Sequence, residues 1–330
     1  MEQGVLQLTL TWDGGQIVAA GVVSSRPAVA RCLRGLPVAR VLEIIPRLFG
    51  LCRCAQDAAA RLSLQAARPE RPVIAATSAQ VLAVALEAVG EHLWRLLLDW
   101  PPLCKQAPRH SEFLLWRKRL LGVVDSAGAA VFGARLSAWL NEETPLQVGD
   151  GVAATAGALL PRLSAADWVA QADGAGFAEW PTFAGQPAET GALARHIGNP
   201  EVAALLARGQ RIRARLAARY ADLRWLAEGL SEPARLSSWL DAATVAEGCG
   251  LACVETARGT LLHRIELAGE RVARYVIVAP TEWNFHPQGA FVREIGTTPA
   301  RTRAEAVTAA SRLVLSLDPC VPVEVKVDDA

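Results

Sequence analysis

The chain has 330 residues, 52% of them hydrophobic, and a formal net charge of +1. It is long enough to bury a large core, and its near-neutral charge excludes the positive field that draws proteins to nucleic acid or anionic membranes. No run of about 18 uninterrupted apolar residues occurs, so no membrane-spanning helix is predicted. The opening Met1-Glu-Gln-Gly lacks the basic and apolar regions of a signal peptide, so we expect a cytoplasmic protein.

The N-terminal segments predict a β-hairpin followed by helices. Apolar residues alternate with polar ones at Leu6 to Leu10 and resume at Ile17 to Val23, on either side of a turn at Asp13-Gly-Gly. From Val38 to Leu64 the apolar residues recur at helical spacing. Within that segment Pro46 predicts a break or a new helix start.

Two cysteines, Cys52 and Cys54, follow this proline and are therefore expected early in a helix. A helix N-terminus lowers the pKa of a thiol and favours the thiolate, which is the form that binds metal. The chain has seven cysteines, an odd number that argues against a disulfide framework. Taken one at a time, a free cysteine is more typical of a small buried hydrophobe than of a ligand.

The middle of the chain predicts mainly helices. Val73 to Leu98 forms an amphipathic pattern that faces a core, and helical patterns continue from Ser78 to Leu140 with interruptions at Trp100-Pro-Pro and at Pro108. The Gly149 to Gly191 region is richer in Gly, Ala and Pro, which predicts an extended loop leading into a helix.

A long amphipathic helix is predicted from Pro200 to Leu230, with a further helix around Ala234 to Ala242. Arginines crowd the first half of the long helix, from Arg208 to Arg219. Because few aromatic residues lie nearby and acidic residues follow, a solvated helix face is the favoured interpretation of this cluster.

The period then changes to that of strands. Leu251 to Thr256, Thr260 to Leu267 and Val272 to Ala279 alternate like strands, and Ala268-Gly-Glu joins the last two as a hairpin. A final helix is predicted from Arg301 to Leu315. The predicted fold class is α+β and mainly helical. We expect one domain over residues 1–330, with an N-terminal hairpin (1–25), a helical body (26–245) and a C-terminal region (246–330) of β-hairpins, helix and cysteine motif.

Several common functional motifs are absent from the sequence: the phosphate-binding loop, the His-Glu-x-x-His zinc helix and the Gly-x-Ser-x-Gly elbow. The segment Gly248-Cys-Gly-Leu-Ala-Cys253 lacks the final glycine of a dinucleotide turn. The histidines are too scattered for a local zinc pair. The thiols therefore remain as the candidate chemistry, since soft thiolates suit iron, nickel or zinc.

Five segments, taken in order, resemble motifs of the catalytic large subunit of nickel-iron hydrogenases. The matching segments are Arg47-Leu-Phe-Gly-Leu-Cys52, Trp180-Pro-Thr-Phe-Ala-Gly-Gln-Pro-Ala-Glu-Thr-Gly-Ala-Leu-Ala-Arg195, Glu255-Thr-Ala-Arg-Gly-Thr-Leu-Leu-His263, Ala279-Pro-Thr-Glu-Trp-Asn284 and Leu317-Asp-Pro-Cys320. The first resembles the family's Arg-x-Cys-Gly-x-Cys, the fourth its Val-Pro-Thr-Thr-Trp-Asn and the last its Phe-Asp-Pro-Cys-x-x-Cys. The chain is shorter than that subunit and lacks much of the family's middle.

The departures from the family pattern concern the metal ligands. In the family, two cysteine pairs hold nickel and iron. By resemblance Cys52 corresponds to a bridging ligand and Cys320 to a terminal nickel ligand, whereas Phe49 and Val323 stand where the other two cysteines belong. Gln56 stands where a histidine often follows the first pair. Two thiolates do not form the bimetallic cage, so hydrogen turnover and nickel binding are not expected, although two thiolates could hold one iron.

The resemblance also implies contacts to the diatomic ligands of that iron. Arg258 and Thr281 match residues that contact cyanide in the family, and Pro280 belongs to the same motif as Thr281. A guanidinium and a hydroxyl supply the donors that cyanide requires. Cys54 is left with two interpretations, a relay ligand or a packed thiol. Near the end of the chain, Lys326 occupies the position of the family's C-terminal histidine.

The pattern resembles the HupK or HoxV type of hydrogenase-maturation protein. The resemblance implies an assembly scaffold, not an enzyme, that transiently holds iron as Fe(CN)2(CO). The implied partners are the hydrogenase large-subunit precursor and Hyp-type maturation chaperones, with no nucleic acid and no membrane insertion. Two alternatives stay open: a metal-free interaction protein with a borrowed fold, and a redox enzyme with partial ligation.

Overall fold

The computed structural model describes residues 4–26, 29–68, 75–149, 157–171 and 177–330. The strands are β1 (Leu6–Trp12), β2 (Ile17–Ser24), β3 (Ala158–Leu159), β4 (Ala188–Glu189), β5 (Leu240–Ala246), β6 (Cys249–Thr256), β7 (Gly259–Ala268), β8 (Arg271–Val278) and β9 (Val323–Asp329). The α-helices are α1 (Val38–Leu48), α2 (Arg53–Ala66), α3 (Ser78–Trp94), α4 (Trp100–Leu103), α5 (His110–Leu121), α6 (Ser126–Glu142), α7 (Ala165–Val169), α8 (Ala192–Arg195), α9 (Pro200–Ala207), α10 (Arg211–Gly229), α11 (Pro233–Leu236), α12 (Pro280–Asn284), α13 (Ala290–Ile295) and α14 (Arg303–Leu317).

The two ends of the chain meet in one sheet of order β2-β1-β9. Strands β1 and β2 form the predicted antiparallel hairpin. Strand β9 is not among the predicted strands; it pairs parallel with β1 from Leu6 opposite Val323 to Trp12 opposite Asp329. Because Cys320 lies just before β9, this pairing fixes the last cysteine motif against the first strand.

A second, antiparallel sheet of order β5-β6-β7-β8 lies under α2. Its last three strands confirm the predicted strands between Leu251 and Ala279. Gly250 of β6 allows the close approach of α2, because a Cβ at this position would lie 2.1 Å from the carbonyl oxygen of Ser63 and 2.4 Å from the nitrogen of Ala67. The contact fixes the C-terminal half of α2 against the sheet, and Cys52 lies at the opposite end of the same helix.

The predicted α+β fold is confirmed, and more of the described residues lie in helices than in strands. The amphipathic helix predicted from Val73 begins at Ser78 in the structure, and residues 73 and 74 lie outside the described part of the chain. Trp100-Pro-Pro does not interrupt the helical path, since α3 continues through a π-helical turn at Arg95–Asp99 into α4. Pro101 and Pro102 follow shortly after the π-helical turn, in the first turn of α4, where the change in hydrogen-bond pattern reduces the cost of a missing N–H.

Two predicted boundaries near the cysteines and in the long helix differ from the structure. Pro46 lies inside α1, because burial of Val41 and Ile45 compensates for its missing N–H, and the break comes after Leu48. The long helix predicted from Pro200 consists of α9 and α10, separated at Gly209, whose φ of 70° favours glycine.

The helix predicted around Ala234 to Ala242 is wrong in its second half. Helix α11 ends at Leu236, a short 3-10 turn follows, and Leu240–Ala246 forms β5. Pairing with β6 outweighs the helical pattern there. The predicted loop between Gly149 and Gly191 is only partly described, since residues 150–156 and 172–176 lie outside the described residues; its described parts include β3, β4 and α7.

The interpretation of the arginine cluster as a solvated face is also wrong. Arg211, Arg215 and Arg219 lie four residues apart on one face of α10 and are buried. Arg215 donates to Glu189 at 2.7 Å and to Glu294 at 2.8 Å, and Arg211 donates to Glu189 at 2.9 Å. The carboxylates come from β4 and α13, so the sequence of the helix itself contained no sign of burial. No helix in the described part of the chain is long and apolar enough to cross a membrane.

Candidate metal centre

Two thiols from opposite ends of the chain line the same cavity. Cys52 is the N-cap residue of α2, and Cys320 lies in the turn between α14 and β9. The cavity has a volume of 1800 Å³, and Thr281 also lines it. The structure therefore brings together three of the residues singled out from the sequence, although they are separated by up to 268 positions along the chain (320 minus 52).

The expectation that the helix N-terminus lowers the pKa of Cys52 is wrong. Burial raises the pKa of this thiol, and the negative charges of Cys320 and Glu91 raise it further. The N-terminus of α2 is already occupied, because Glu87 of α3 accepts hydrogen bonds from the backbone N–H groups of Cys54 (2.7 Å) and Ala55 (3.0 Å). This carboxylate offsets the positive end of the helix dipole that would otherwise favour the thiolate.

Cys54 is not among the described residues that line the cavity. Burial raises the pKa of its thiol to about 12, and the charge of Glu87 acts in the same direction. Its position beside Glu87 matches the packed thiol of the two interpretations, while the relay role remains a prediction.

Thr281 contacts Cys320 through two hydrogen bonds. Its hydroxyl donates to the sulfur at 3.2 Å, and the backbone N–H of Cys320 donates to that hydroxyl at 3.2 Å. Pro280 is buried at the first position of α12, where its fixed φ suits a helix start. Pro280 itself does not line the cavity within the described residues; it positions Thr281, which does.

Arg258 is buried and is not among the described residues that line the cavity. Its Nη1 donates to Glu91 at 2.5 Å, and its Nε lies 3.5 Å from Oδ1 of Asp318. Burial alone lowers the pKa of Arg258, but the charges of Asp318 and Glu91 outweigh it and raise the pKa, with the thiolates of Cys320 and Cys52 adding to the effect. The guanidinium therefore stays charged behind the two thiols.

Asp318 links this arginine to two others. Its Oδ1 lies 2.8 Å from Arg95 Nε, and its Oδ2 lies 3.0 Å from Nη2 of Arg219. Burial raises the pKa of Asp318, yet the three guanidinium groups outweigh burial and hold the pKa well below its usual range. Asp318 ends α14 with a φ of 53°, so the residue that balances these charges also turns the chain toward Cys320.

The sequence-based reasoning missed one further pair, Arg26 and Glu282. They form an ion pair at the cavity wall, and both line the cavity beside the thiols. Glu282 raises the pKa of Arg26, burial opposes this, and the charges of Cys320 and Cys52 also raise it. One sequence feature could have pointed to this pair: Glu282 stands where the corresponding hydrogenase motif has threonine.

Phe49 also lines the cavity. Val323 is the first residue of β9 and follows Cys320 closely in the sequence. Neither side chain can coordinate a metal. Among the described residues, no group of three or more His, Cys, Asp or Glu side chains is arranged to hold a metal ion. The centre is therefore a pair of thiols with hydrogen-bond donors and positive charge around it, rather than a complete cage.

Comparison with known proteins first defines the class. Residues 205–325 match the family model of nickel-dependent hydrogenases. The fold is similar to that of the Ni-Fe-Se hydrogenase of Desulfovibrio vulgaris Hildenborough, with a TM-score of 0.68, 15% sequence identity and coverage of 94% of both chains. A second solved structure, from Desulfomicrobium baculatum, gives a TM-score of 0.67 at 15% identity and covers 94% of this chain and 95% of that one. The fold is that of a nickel-dependent hydrogenase large subunit.

Curated relatives over nearly the full length define the family. The hydrogenase expression/formation protein HupK of Bradyrhizobium diazoefficiens is 32% identical over 94% of this chain and 93% of its own. HupK of Rhizobium leguminosarum bv. viciae is 33% identical, with 99% and 97% covered, and HoxV of Cupriavidus necator is 32% identical, with 96% and 94% covered. The chain belongs to the HupK/HoxV family of hydrogenase expression/formation proteins.

Proposed function

We propose that the protein is a hydrogenase-maturation scaffold that holds the Fe(CN)2(CO) unit during assembly and passes it to the hydrogenase large subunit. The observation that carries the proposal is the convergence of Cys52 and Cys320 on one cavity, with Thr281 donating to the sulfur of Cys320. A chain that only kept the fold would not need a soft ligand from each of two distant motifs at one place.

Two thiolates suit a carrier better than four. Each thiol loses its proton when iron binds, so the raised pKa of Cys52 describes the protein without cargo and not the loaded state. Incoming cysteines of the acceptor then displace Cys52 and Cys320 one after the other by ligand exchange. Because Phe49 and Val323 contribute no ligand, the unit is released before a nickel-binding cage can form.

The charges around the thiols favour an anionic cargo. A ferrous iron with two cyanides and two thiolates carries more negative than positive charge. Arg26 at the cavity wall and Arg258 behind the thiols place guanidinium groups near that charge, and Thr281 offers a hydroxyl. Charge-assisted hydrogen bonds of this kind are roughly twice as strong as neutral ones.

The implied partners follow from this role. The acceptor is a hydrogenase large-subunit precursor, the donor is a Hyp-type maturation chaperone, and the exchange takes place in the cytoplasm. In this proposal the protein is an assembly scaffold rather than an enzyme, with iron as its cargo and no nickel. Cys54, beside Glu87, remains outside the ligand set unless it relays the unit.

Infrared spectroscopy tests the proposal. The protein is purified without oxygen from cells that contain the maturation machinery, and carbonyl and cyanide stretching bands are expected. Cys52→Ser and Cys320→Ser should each abolish the bands, while Cys32→Ser, at an exposed cysteine, should retain them. A Cys54→Ser variant with intact bands would exclude the relay role.

Two results would contradict the scaffold. One is a wild-type protein without bands. The other is a Cys52→Ser, Cys320→Ser double variant that still restores hydrogenase activity to cells lacking the protein. Either result would favour a metal-free interaction protein that keeps the large-subunit fold.

A further inference from the structure

A chain of buried side chains ends on the sulfur of Cys52. Gln56, fully buried one turn after Cys52, directs its Nε2 to that sulfur at 3.7 Å. Its Oε1 lies 2.8 Å from Nε2 of His263 on β7, and Nδ1 of His263 lies 2.9 Å from the hydroxyl of Tyr275 on β8. Tyr275 is one of the residues that line the cavity. This series of hydrogen bonds therefore runs from Tyr275 at the cavity wall, through the contact between the sheet and α2, to one of the two thiols.

The sulfur of Cys52 determines which groups donate and which accept in this series of hydrogen bonds. A thiolate or a metal-bound sulfur only accepts, so the amide N–H of Gln56 must face Cys52 and its oxygen must face His263. That oxygen accepts, so Nε2 of His263 carries a proton. Burial lowers the pKa of His263 to about 3, which keeps the ring neutral and leaves Nδ1 as an acceptor for the hydroxyl of Tyr275.

These contacts fix the orientation of an otherwise ambiguous amide. A glutamine can turn its oxygen or its nitrogen toward a neighbour, and only the second orientation supports a negatively charged sulfur. The hydrogen bonds from Tyr275 and His263 favour that orientation before any cargo arrives. The side chains of Gln56 and His263 are both completely inaccessible to solvent, so water does not compete for these groups.

We propose that Gln56, oriented by His263 and Tyr275, is a positioning residue that makes Cys52 a labile ligand of the iron unit. The inference rests on the proposed function. A hydrogen bond to a ligand sulfur withdraws electron density from the iron–sulfur bond and stabilises the departing thiolate. Thr281 donates in the same way to Cys320, and Gln56 supplies the corresponding hydrogen bond at Cys52, so Gln56 sets how fast that thiol releases the unit.

The test uses Gln56→Met, which keeps the length of the side chain and removes its N–H donor, in protein loaded with Fe(CN)2(CO) in cells. Without the donor, Cys52 gives more electron density to iron, so the carbonyl band is expected at lower wavenumber than in the wild type. Release into excess dithiothreitol, followed as the decay of that band, is expected to be about tenfold slower. The matched control is Gln65→Met on the same helix, which should leave both the band position and the decay rate unchanged.

Tyr275→Phe provides a second variant that leaves Cys52 and Gln56 in place. Without the hydroxyl of Tyr275, the proton of His263 is no longer held on Nε2, so the amide of Gln56 is oriented less firmly. The carbonyl band should therefore shift in the same direction as in Gln56→Met, by a smaller amount. A purely structural role would lower the melting temperature of these variants without moving the band. If the wild type shows the bands and neither variant shifts them, the inference is overturned, while the proposed scaffold function is not. A wild type without bands would overturn both.

Discussion

Replacing Asp318 with asparagine removes a negative charge from the point where three arginines meet. The carboxylate lies 2.8 Å from Arg95, 3.0 Å from Arg219 and 3.5 Å from Arg258, and all of these groups but Arg95 are buried. Asparagine tolerates the φ of 53° at this position, so the variant isolates the loss of charge. Breaking a buried ion pair by removing one partner costs about 3–5 kcal/mol, and we expect a loss of unfolding free energy in that range.

Urea unfolding followed by tryptophan fluorescence measures this loss. The control is Asp329→Asn, which removes an acid that pairs with Arg303 at the exposed end of β9 and should cost at most about 1 kcal/mol. A loss below about 1 kcal/mol in Asp318→Asn would refute the reasoning, because the three guanidinium groups would then be balanced by other charges.

The same variant should change the response to acid. The arginines outweigh burial and hold the pKa of Asp318 below the ordinary value of 3.8. The contribution of Asp318 is therefore present above pH 3.8 and is lost as the pH falls through the lowered pKa. Wild-type protein should lose this contribution in strong acid, and Asp318→Asn should lack that part of the acid response.

Two further predictions concern packing and neutral pH. Gly250→Ala should lower the unfolding free energy in urea by about 3 kcal/mol, because its Cβ would lie 2.1 Å from a backbone oxygen of α2; Gly21→Ala, with open space around it, should cost less than about 1 kcal/mol. Burial outweighs the attraction of Arg258 and raises the pKa of Glu91 to about 7, so stability should fall as the pH rises from 4.5 through 7. Glu91→Gln should flatten that slope, and an unchanged slope would assign it to another group.

Local periodicity was enough to predict the elements that pair with their sequence neighbours. The first hairpin and strands β6 to β8 follow from alternation and turn residues, because a hairpin needs only contacts between adjacent segments. Strand β9 pairs with the other end of the chain, yet its sequence carried the signal, since Val323, Val325 and Val327 alternate with polar residues. The pattern predicts a strand, and the partner is set by the tertiary fold.

The motifs predicted which residues approach the cavity but not how the charges around them are balanced. Cys52, Cys320 and Thr281 line the cavity. They could be predicted because each belongs to a motif, and the motifs occur in a recognisable order along the chain. The partners of the arginines are far away in sequence: Arg258 pairs with a residue 167 positions away, and Arg26 with one 256 positions away. Sequence spacing contains no information about such pairs, so the electrostatics had to come from the structure.

The balance of charge near the thiols explains how a site with two thiols can persist without metal. Arg26 has Glu282 as a partner and Arg258 has Asp318, whose lowered pKa keeps it charged, so these guanidinium groups do not depend on a thiolate for compensation. The raised pKa of Cys52 keeps that thiol neutral when no metal is bound. A cage of four thiolates would need its metals to offset the negative charge. The pair in this chain does not, because each nearby guanidinium group already has a carboxylate partner.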